Sequence, residues 1–406
     1  MVSNLNGANT PYGNRMTVVD VVVWNSDGSH RLRRNGRDLR VDIDENVEVG
    51  SAEFLRAITK QLDMDVALLR VGTGDTVEVE LLAPGDVAGH GFWWQPGEMH
   101  PPGDERPPWH RPGWLNATVR AVDRTLTERG LTRTGPARQV RHTSVTGMFR
   151  LETDRFPLWL KAVLPIFAHE GAVAKWLYSI APGRVPDVFA HTPEWWLARE
   201  FPERAPRPTS DFLDVLADLQ IASISRTHEL RAVGCPDRSS PVLPVAVASV
   251  ARSSDLLHTG LRRALRKVLP KLDRVTERIG ALGIPDTVVH GDLTARNVLW
   301  TGHDWLLFDW TDACIAHPFV DLAVALEEDG DSARRTAAYG YRWRSVLPKE
   351  KIVAGLESAP VLGAAHQIVT YQSILESFER TGGDPQGGHE MVRLLHHWTA
   401  RLVELL

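Results

Sequence analysis

The apolar positions along the chain follow two rhythms, one of strands and one of helices. Residues 18–24 are a continuous β-branched run, which predicts a buried strand, and Ser26-Asp27-Gly28 follows as a turn. Further strands are expected at 40–43 and 76–82. Between these two, Phe54, Leu55, Ile58 and Leu62 recur at the spacing of one helical face over 52–62. One helix among strands predicts a small α/β accessory domain over 17–95, after a loose tail at 1–16. Residues 95–113 hold six prolines, which exclude a helix or a central strand. The prediction there is a semi-stiff linker over 96–113.

Beyond the linker the pattern starts again. Leu115, Val119, Val122 and Leu126 share a helical face that begins at Trp114, and Gly130 is its stop signal. Strand-like pieces follow at 137–141, 148–152 and 157–163, then a helix over 170–180. More extended segments lie at 185–190 and 194–201. Residues 202–208 break the pattern. From there helices dominate: 211–224, 256–282 with Pro270 as a break or kink, one opening at 317–323, 361–378 and 391–405. The fold class expected is α+β, with a β-rich lobe over 114–201 and a helical lobe over 202–406.

Composition narrows the partners. Hydrophobic content of 43% and charged content of 24% are those of an ordinary globular chain. A net charge of -5 argues against nucleic acid as the main partner. The N-terminus lacks the basic start and apolar core of a signal peptide, and no apolar run approaches the ~20 residues of a membrane span. Two cysteines, Cys235 and Cys314, cannot build a disulfide framework or a metal cage. A cytoplasmic protein with reduced thiols is expected. The pair His396-His397 falls in the last helix and is assigned to packing or surface.

The chemistry gathers in 288–312, VVHGDLTARNVLWTGHDWLLFDWTD. A loop carries Asp292 and Asn297, and the apolar run after it ends at Asp309. Phosphoryl transfer needs an oriented acceptor hydroxyl and a held metal–phosphate charge. Asp292 can accept a proton, while Asn297 and Asp309 are hard oxygen donors of the kind Mg²⁺ takes. Lys161 stands inside the apolar strand 158–163, where an ammonium needs an anion. Glu170 follows nine residues later, at the start of a helix.

The run His290-Gly291-Asp292-Leu293-Thr294-Ala295-Arg296-Asn297 resembles the catalytic loop of the aminoglycoside phosphotransferase family, which has the protein-kinase-like two-lobe fold. Phe308-Asp309-Trp310 stands where protein kinases carry Asp-Phe-Gly. Thr294-Ala295-Arg296 replaces the His-Pro-Gly common in the family. The resemblance implies ATP (or GTP) and Mg²⁺ as cofactors and a small-molecule hydroxyl acceptor as partner. It makes Asp292 the catalytic base and Asn297 and Asp309 the metal ligands. Lys161 would contact the α- and β-phosphates, with Glu170 holding it. Ser144 would lie in a turn over the phosphates. Backbone groups near Ala198 and Glu200 would take the adenine. His290 would bond the backbone near Asp309, and Asp321 would brace the loop.

Residues 50–64 weakly resemble the helix of a Nudix domain, but Ala57, Lys60 and Gln61 replace its functional carboxylates, so diphosphate hydrolysis is not expected. The expected function is ATP-dependent O-phosphotransfer to an aminoglycoside, another antibiotic or a sugar. Glu327-Glu328-Asp329 and Asp331 follow the metal loop in sequence and could meet a polycation. The alternative is a catalytically silent, kinase-like nucleotide-binding regulator.

Overall fold

Strand β1 (Met16–Trp24) turns Val19, Val21 and Val23 into the first of the chain's cores. The computed structural model describes residues 16–71, 76–82, 92–99, 106–202, 205, 211–326, 331–381 and 385–406. It divides into two units: residues up to 104 with 109–117 and 139–142, and the remainder.

In the first unit, β1 is followed by β2 (His30–Arg34), β3 (Leu39–Asp44), helix α1 (Ala52–Leu62), β4 (Val66–Val71), β5 (Thr76–Leu81) and β6 (Phe92–Pro96). The sheet order is β4-β5-β1-β2-β6, with β3 also paired to β1, and β1 with β5 is a parallel pair. Ser51 caps α1 by accepting the Phe54 N–H, and the helix buries Phe54, Leu55, Ile58 and Leu62 on the sheet. The periodicity foretold β1, β3, β5 and α1, but not β2, β4 or β6. Gln61, at one of the positions where the Nudix pattern calls for a carboxylate, is bonded to the Asp42 backbone at both its N–H (3.0 Å) and its C=O (2.6 Å). Its work here is to hold α1 to β3.

The expected linker differs from the structure at its C-terminal end. Trp109 is buried, and Pro108–His110 is a 3-10 turn. At Gly113, φ is +77°, and a Cβ would lie 2.6 Å from the Ser26 carbonyl oxygen. Residues 109–117 are therefore part of the first unit, as is the short segment 139–142, where the His142 N–H meets the Gly50 C=O at 3.0 Å.

Glu80, on β5, is wholly buried in this unit. Burial pushes its carboxyl up to about 7, against the pull of the Gly113 N–H. A raised carboxyl holds its proton in the fold and loses it in the unfolded chain. Its favourable contribution is complete below the unfolded value of 4.5 and lost as pH rises through about 7. Glu80→Gln is expected to remove this dependence and to raise stability at pH 8 by on the order of 2–3 kcal/mol. Denaturant unfolding of both proteins at pH 5 and pH 8 checks it; an equal difference at the two pH values would contradict it.

Helix α2 (Trp114–Glu128) and strand β7 (Arg138–His142) lead into the second unit. There β8 (Thr146–Leu151), β9 (Leu158–Val163), β10 (Val188–His191) and β11 (Trp195–Arg199) pair in the order β10-β11-β9-β8. Helix α3 (Glu170–Ile180) connects β9 to β10. Lys161 lies between Met148 of β8 and Trp196 of β11, in the interior of this sheet.

The rest is helical: α4 (Phe212–Ser223), α5 (Thr227–Ala232), α6 (Leu243–Ser253), α7 (Thr259–Leu282), then α8 (Leu322–Ala325), α9 (Ser332–Arg342), α10 (Lys349–Thr381) and α11 (Pro385–Leu405). Two small ladders interrupt it, β12 (Thr287–Val289) with β15 (Cys314–Ala316), and β13 (Val298–Trp300) with β14 (Trp305–Leu307). The helix expected over 361–378 is the middle of α10, which continues through Pro360, as α7 does through Pro270. Proline removes one backbone bond, but Ala359, Val361 and Leu362 are buried around Pro360, and packing holds the helix. Contrary to expectation, the stretch Lys349–Arg380 is long and apolar enough to cross a membrane; 67% of its most apolar window is buried, which marks a core helix.

Candidate active site

Buried β12 ends at Val289, and the loop from His290 to β13 is clamped from beneath. Asp321 accepts the His290 N–H at 3.1 Å and the Gly291 N–H at 2.8 Å. Gln220 donates to the same carboxylate at 3.0 Å. Burial pushes the Asp321 carboxyl up to about 7, against those donors. Gln367 of α10 donates to the Gly291 carbonyl at 2.6 Å. Gly291 has φ of +87°, and a Cβ there would lie 2.4 Å from the Asp312 carbonyl oxygen, so the position admits no side chain. His290 Nε2 lies 3.0 Å from the Phe308 carbonyl oxygen, and its ring tilts against Trp310. Burial lowers the imidazole to about 4, so it is neutral near pH 7. Gln220 and Gln367 had no signal in the sequence, because nothing local marks a glutamine that bonds across the fold.

Asn297 donates from Nδ2 to the Asp292 carbonyl at 2.8 Å and to its carboxylate at 3.2 Å. The amide is thereby oriented, with its nitrogen committed to Asp292. Burial raises the Asp292 carboxyl to about 6; the Asp309 charge adds to this and Asn297 opposes it.

Asp309 follows β14 with φ of +67°, a conformation that Asp tolerates better than most residues. Its Oδ1 receives the Lys161 ammonium at 2.6 Å and the Thr311 hydroxyl at 2.5 Å. Burial would raise this carboxyl, but the ammonium outweighs it and holds it at about 2. Lys161 also donates to Glu170 Oε1 at 2.6 Å and to Thr311 Oγ1 at 3.0 Å. All three ammonium protons are thus occupied. Burial disfavours charge on Lys161, and the two carboxylates more than restore it. The Trp196 indole donates to Glu170 at 3.1 Å. Burial raises the Glu170 carboxyl, against Lys161.

Beside Glu170, His169 is buried, and burial lowers its imidazole to about 4. Helix α3, which carries Glu170, packs against the 310–312 turn that follows Asp309. His169 was not singled out in the sequence. Asp312 in that turn is a further carboxyl missed there, pushed up to about 8 by burial and by the Asp292 charge.

The fold brings Lys161, Glu170 and Asp309 into direct contact, and Asp292 to Asn297. It treats the remaining expected nucleotide contacts differently. In the 143–146 turn the N–H groups of Val145 and Thr146 go to the Thr143 hydroxyl, and Ser144 is buried. Ala198 is wholly buried within β11. The Glu200 N–H bonds the Pro157 carbonyl at 3.0 Å, and its carboxylate pairs with Arg150 at 2.7 Å. A base cannot use these groups of Glu200 as they stand. Phe201 comes next and packs on Phe308 at 5.1 Å between ring centroids. Glu327-Glu328-Asp329 lie outside the described residues. Asp331 sits at the N-terminal cap of α9 and pairs with Arg334.

The family model described as the phosphotransferase enzyme family matches residues 146–355. No curated protein matches the chain. Among solved structures, a macrolide 2'-phosphotransferase type I is similar at 17% identity and TM-score 0.45, over 69% of this chain and 97% of its own. The ethanolamine kinase of Plasmodium vivax is similar at 11% identity and TM-score 0.46, over 65% of this chain and 81% of its own. A spectinomycin phosphotransferase, in complex with ADP and spectinomycin, is similar at 10% identity and TM-score 0.40, over 71% and 98%.

Proposed function

The chain belongs to the phosphotransferase enzyme family, and from that premise we propose that it moves the γ-phosphoryl group of ATP or GTP to a hydroxyl of a small molecule. The fold is protein-kinase-like, and the chain is a small-molecule phosphotransferase. The observation that carries the nucleotide assignment is the meeting of Lys161, Glu170 and Asp309, with Lys161 148 residues from Asp309 along the chain. An ammonium is buried there at 2.6 Å from each of two carboxylates; its pair with Glu170 is the kind of lysine–glutamate pair that kinases need in place, and Asp309 stands beside it as their metal-binding Asp would.

The residues fit Mg²⁺. Asn297 has its nitrogen engaged by Asp292, which leaves the amide oxygen for a cation. The Asp309 side chain is 43% exposed although Lys161 beneath it is 5% exposed, so the carboxylate presents an open edge. Bound there, Mg²⁺ would neutralise phosphate charge. Asp292 accepts the proton of the acceptor hydroxyl as its oxygen bonds to the γ-phosphorus and the bond to the nucleoside diphosphate breaks. Asn297 fixes the direction of that carboxylate. Lys161 exchanges one of its present partners for a phosphate oxygen. The base lies beside the backbone of Phe201 and Pro202. The acceptor is an antibiotic, sugar or other small alcohol.

Incubating the protein with MgATP or MgGTP and a panel of antibiotics, sugars and amino alcohols tests this. A phosphorylated acceptor is expected with at least one compound. Tight MgATP binding with neither acceptor phosphorylation nor slow nucleotide hydrolysis would point instead to the silent regulator.

A further inference from the structure

We propose that Thr311 is a positioning residue for the metal-binding carboxylate of Asp309. The inference rests on the assignment of Asp309 to Mg²⁺. Among the described residues, every hydrogen bond to this carboxylate falls on one oxygen, Oδ1: the Lys161 ammonium at 2.6 Å and the Thr311 hydroxyl at 2.5 Å. The same hydroxyl oxygen accepts from Lys161 at 3.0 Å. The three groups close a triangle that fixes the rotamer of Asp309 and leaves Oδ2 for a cation.

Thr311 can do this because its own backbone is immobilised. The Trp310 indole, wholly buried, donates to the Leu307 carbonyl at 3.0 Å. The Ala313 N–H returns to the Trp310 carbonyl at 3.1 Å. Helix α3 packs against this turn. Protein kinases carry glycine at the third position of the corresponding Asp-Phe-Gly and have no side chain there for this purpose. Lysine alone is a weaker guide, because an ammonium is a point charge with rotatable donors and does not set the plane of a carboxylate.

The test is ADP binding by calorimetry across a Mg²⁺ titration, for the wild type, Thr311→Val, Thr311→Ser and Asp309→Asn, with melting temperature recorded for each. Valine keeps the shape and removes the hydroxyl. The Mg²⁺ concentration giving half of the metal-dependent gain in ADP affinity should rise on the order of tenfold in Thr311→Val, the worth of a hydrogen bond to a charged group. Metal-free ADP affinity should fall by a smaller factor, since Lys161 keeps Glu170 and Asp309 as partners, and Thr311→Ser should return to within about twofold of the wild type, since it restores that bond. A valine variant with the wild-type Mg²⁺ requirement, while Asp309→Asn shifts it, would overturn the proposal alone. An unchanged requirement in Asp309→Asn would instead remove the metal assignment beneath it. Equal loss of metal-free and metal-dependent affinity in Thr311→Val, or no recovery with serine, would show a packing role and also overturn it.

Discussion

Asp292→Asn is expected to lower turnover by about 10² to 10⁴, the usual worth of a positioned general base, while MgATP binding stays close to that of the wild type. The amide keeps the size of the side chain and can still meet Asn297, which donates to the Asp292 backbone carbonyl as well as to its carboxylate. What disappears is the acceptor for the hydroxyl proton. Steady-state kinetics on an identified acceptor, beside calorimetry with MgATP, separates the two effects. Full turnover in the variant would remove Asp292 from its assigned role. An equal loss of binding and turnover would mean that the loop itself had moved.

Lys161→Met should have the second large effect, on stability and nucleotide binding together. Methionine fills the space but leaves Glu170, wholly buried, with the Trp196 indole as its remaining partner at 3.1 Å. Breaking a buried pair by removing one member costs about 3–5 kcal/mol. The lower end applies here, because burial already raises the Glu170 carboxyl and it can take up a proton. The double variant with Glu170→Gln should therefore be more stable than Lys161→Met alone. Urea unfolding of the wild type, Lys161→Met, Glu170→Gln and the double variant measures this, and a strictly additive cycle would contradict the pairing. Loss of MgATP affinity is expected in both variants that lack Lys161.

The meeting of Lys161 with its carboxylates was legible because an ammonium inside an apolar strand demands an anion beside it, and Glu170 and Asp309 supply it. Helices such as α1 and α3 announced themselves by spacing. What escaped the sequence was of three kinds. β2 carries one apolar residue, Leu32, among charged ones; β4 begins so soon after α1 that its apolar run reads on from the helix; and β6 follows a stretch rich in glycine and polar residues. The C-terminal part of the proline-rich segment belongs to the first unit because Gly113 approaches Ser26 so closely, a tertiary fact with no local signature. The supports of the site, Gln220, Thr311 and Gln367, are ordinary polar residues whose partners are remote or whose role depends on the exact turn. The Glu200 N–H is consumed by the Pro157 carbonyl, which a strand end cannot show beforehand.

Two glutamines in the first unit have a consequence for behaviour at high concentration. Gln61 bonds both backbone groups of Asp42 on β3, and Gln139 bonds both of Leu68 on β4, at 2.8 and 3.2 Å. Each primary amide imitates one residue of an additional strand. A bare strand margin is a template for another chain and so for aggregation. These two margins carry a stopper at mid-length, which leaves no uninterrupted row of donors and acceptors there on which a fibril could start.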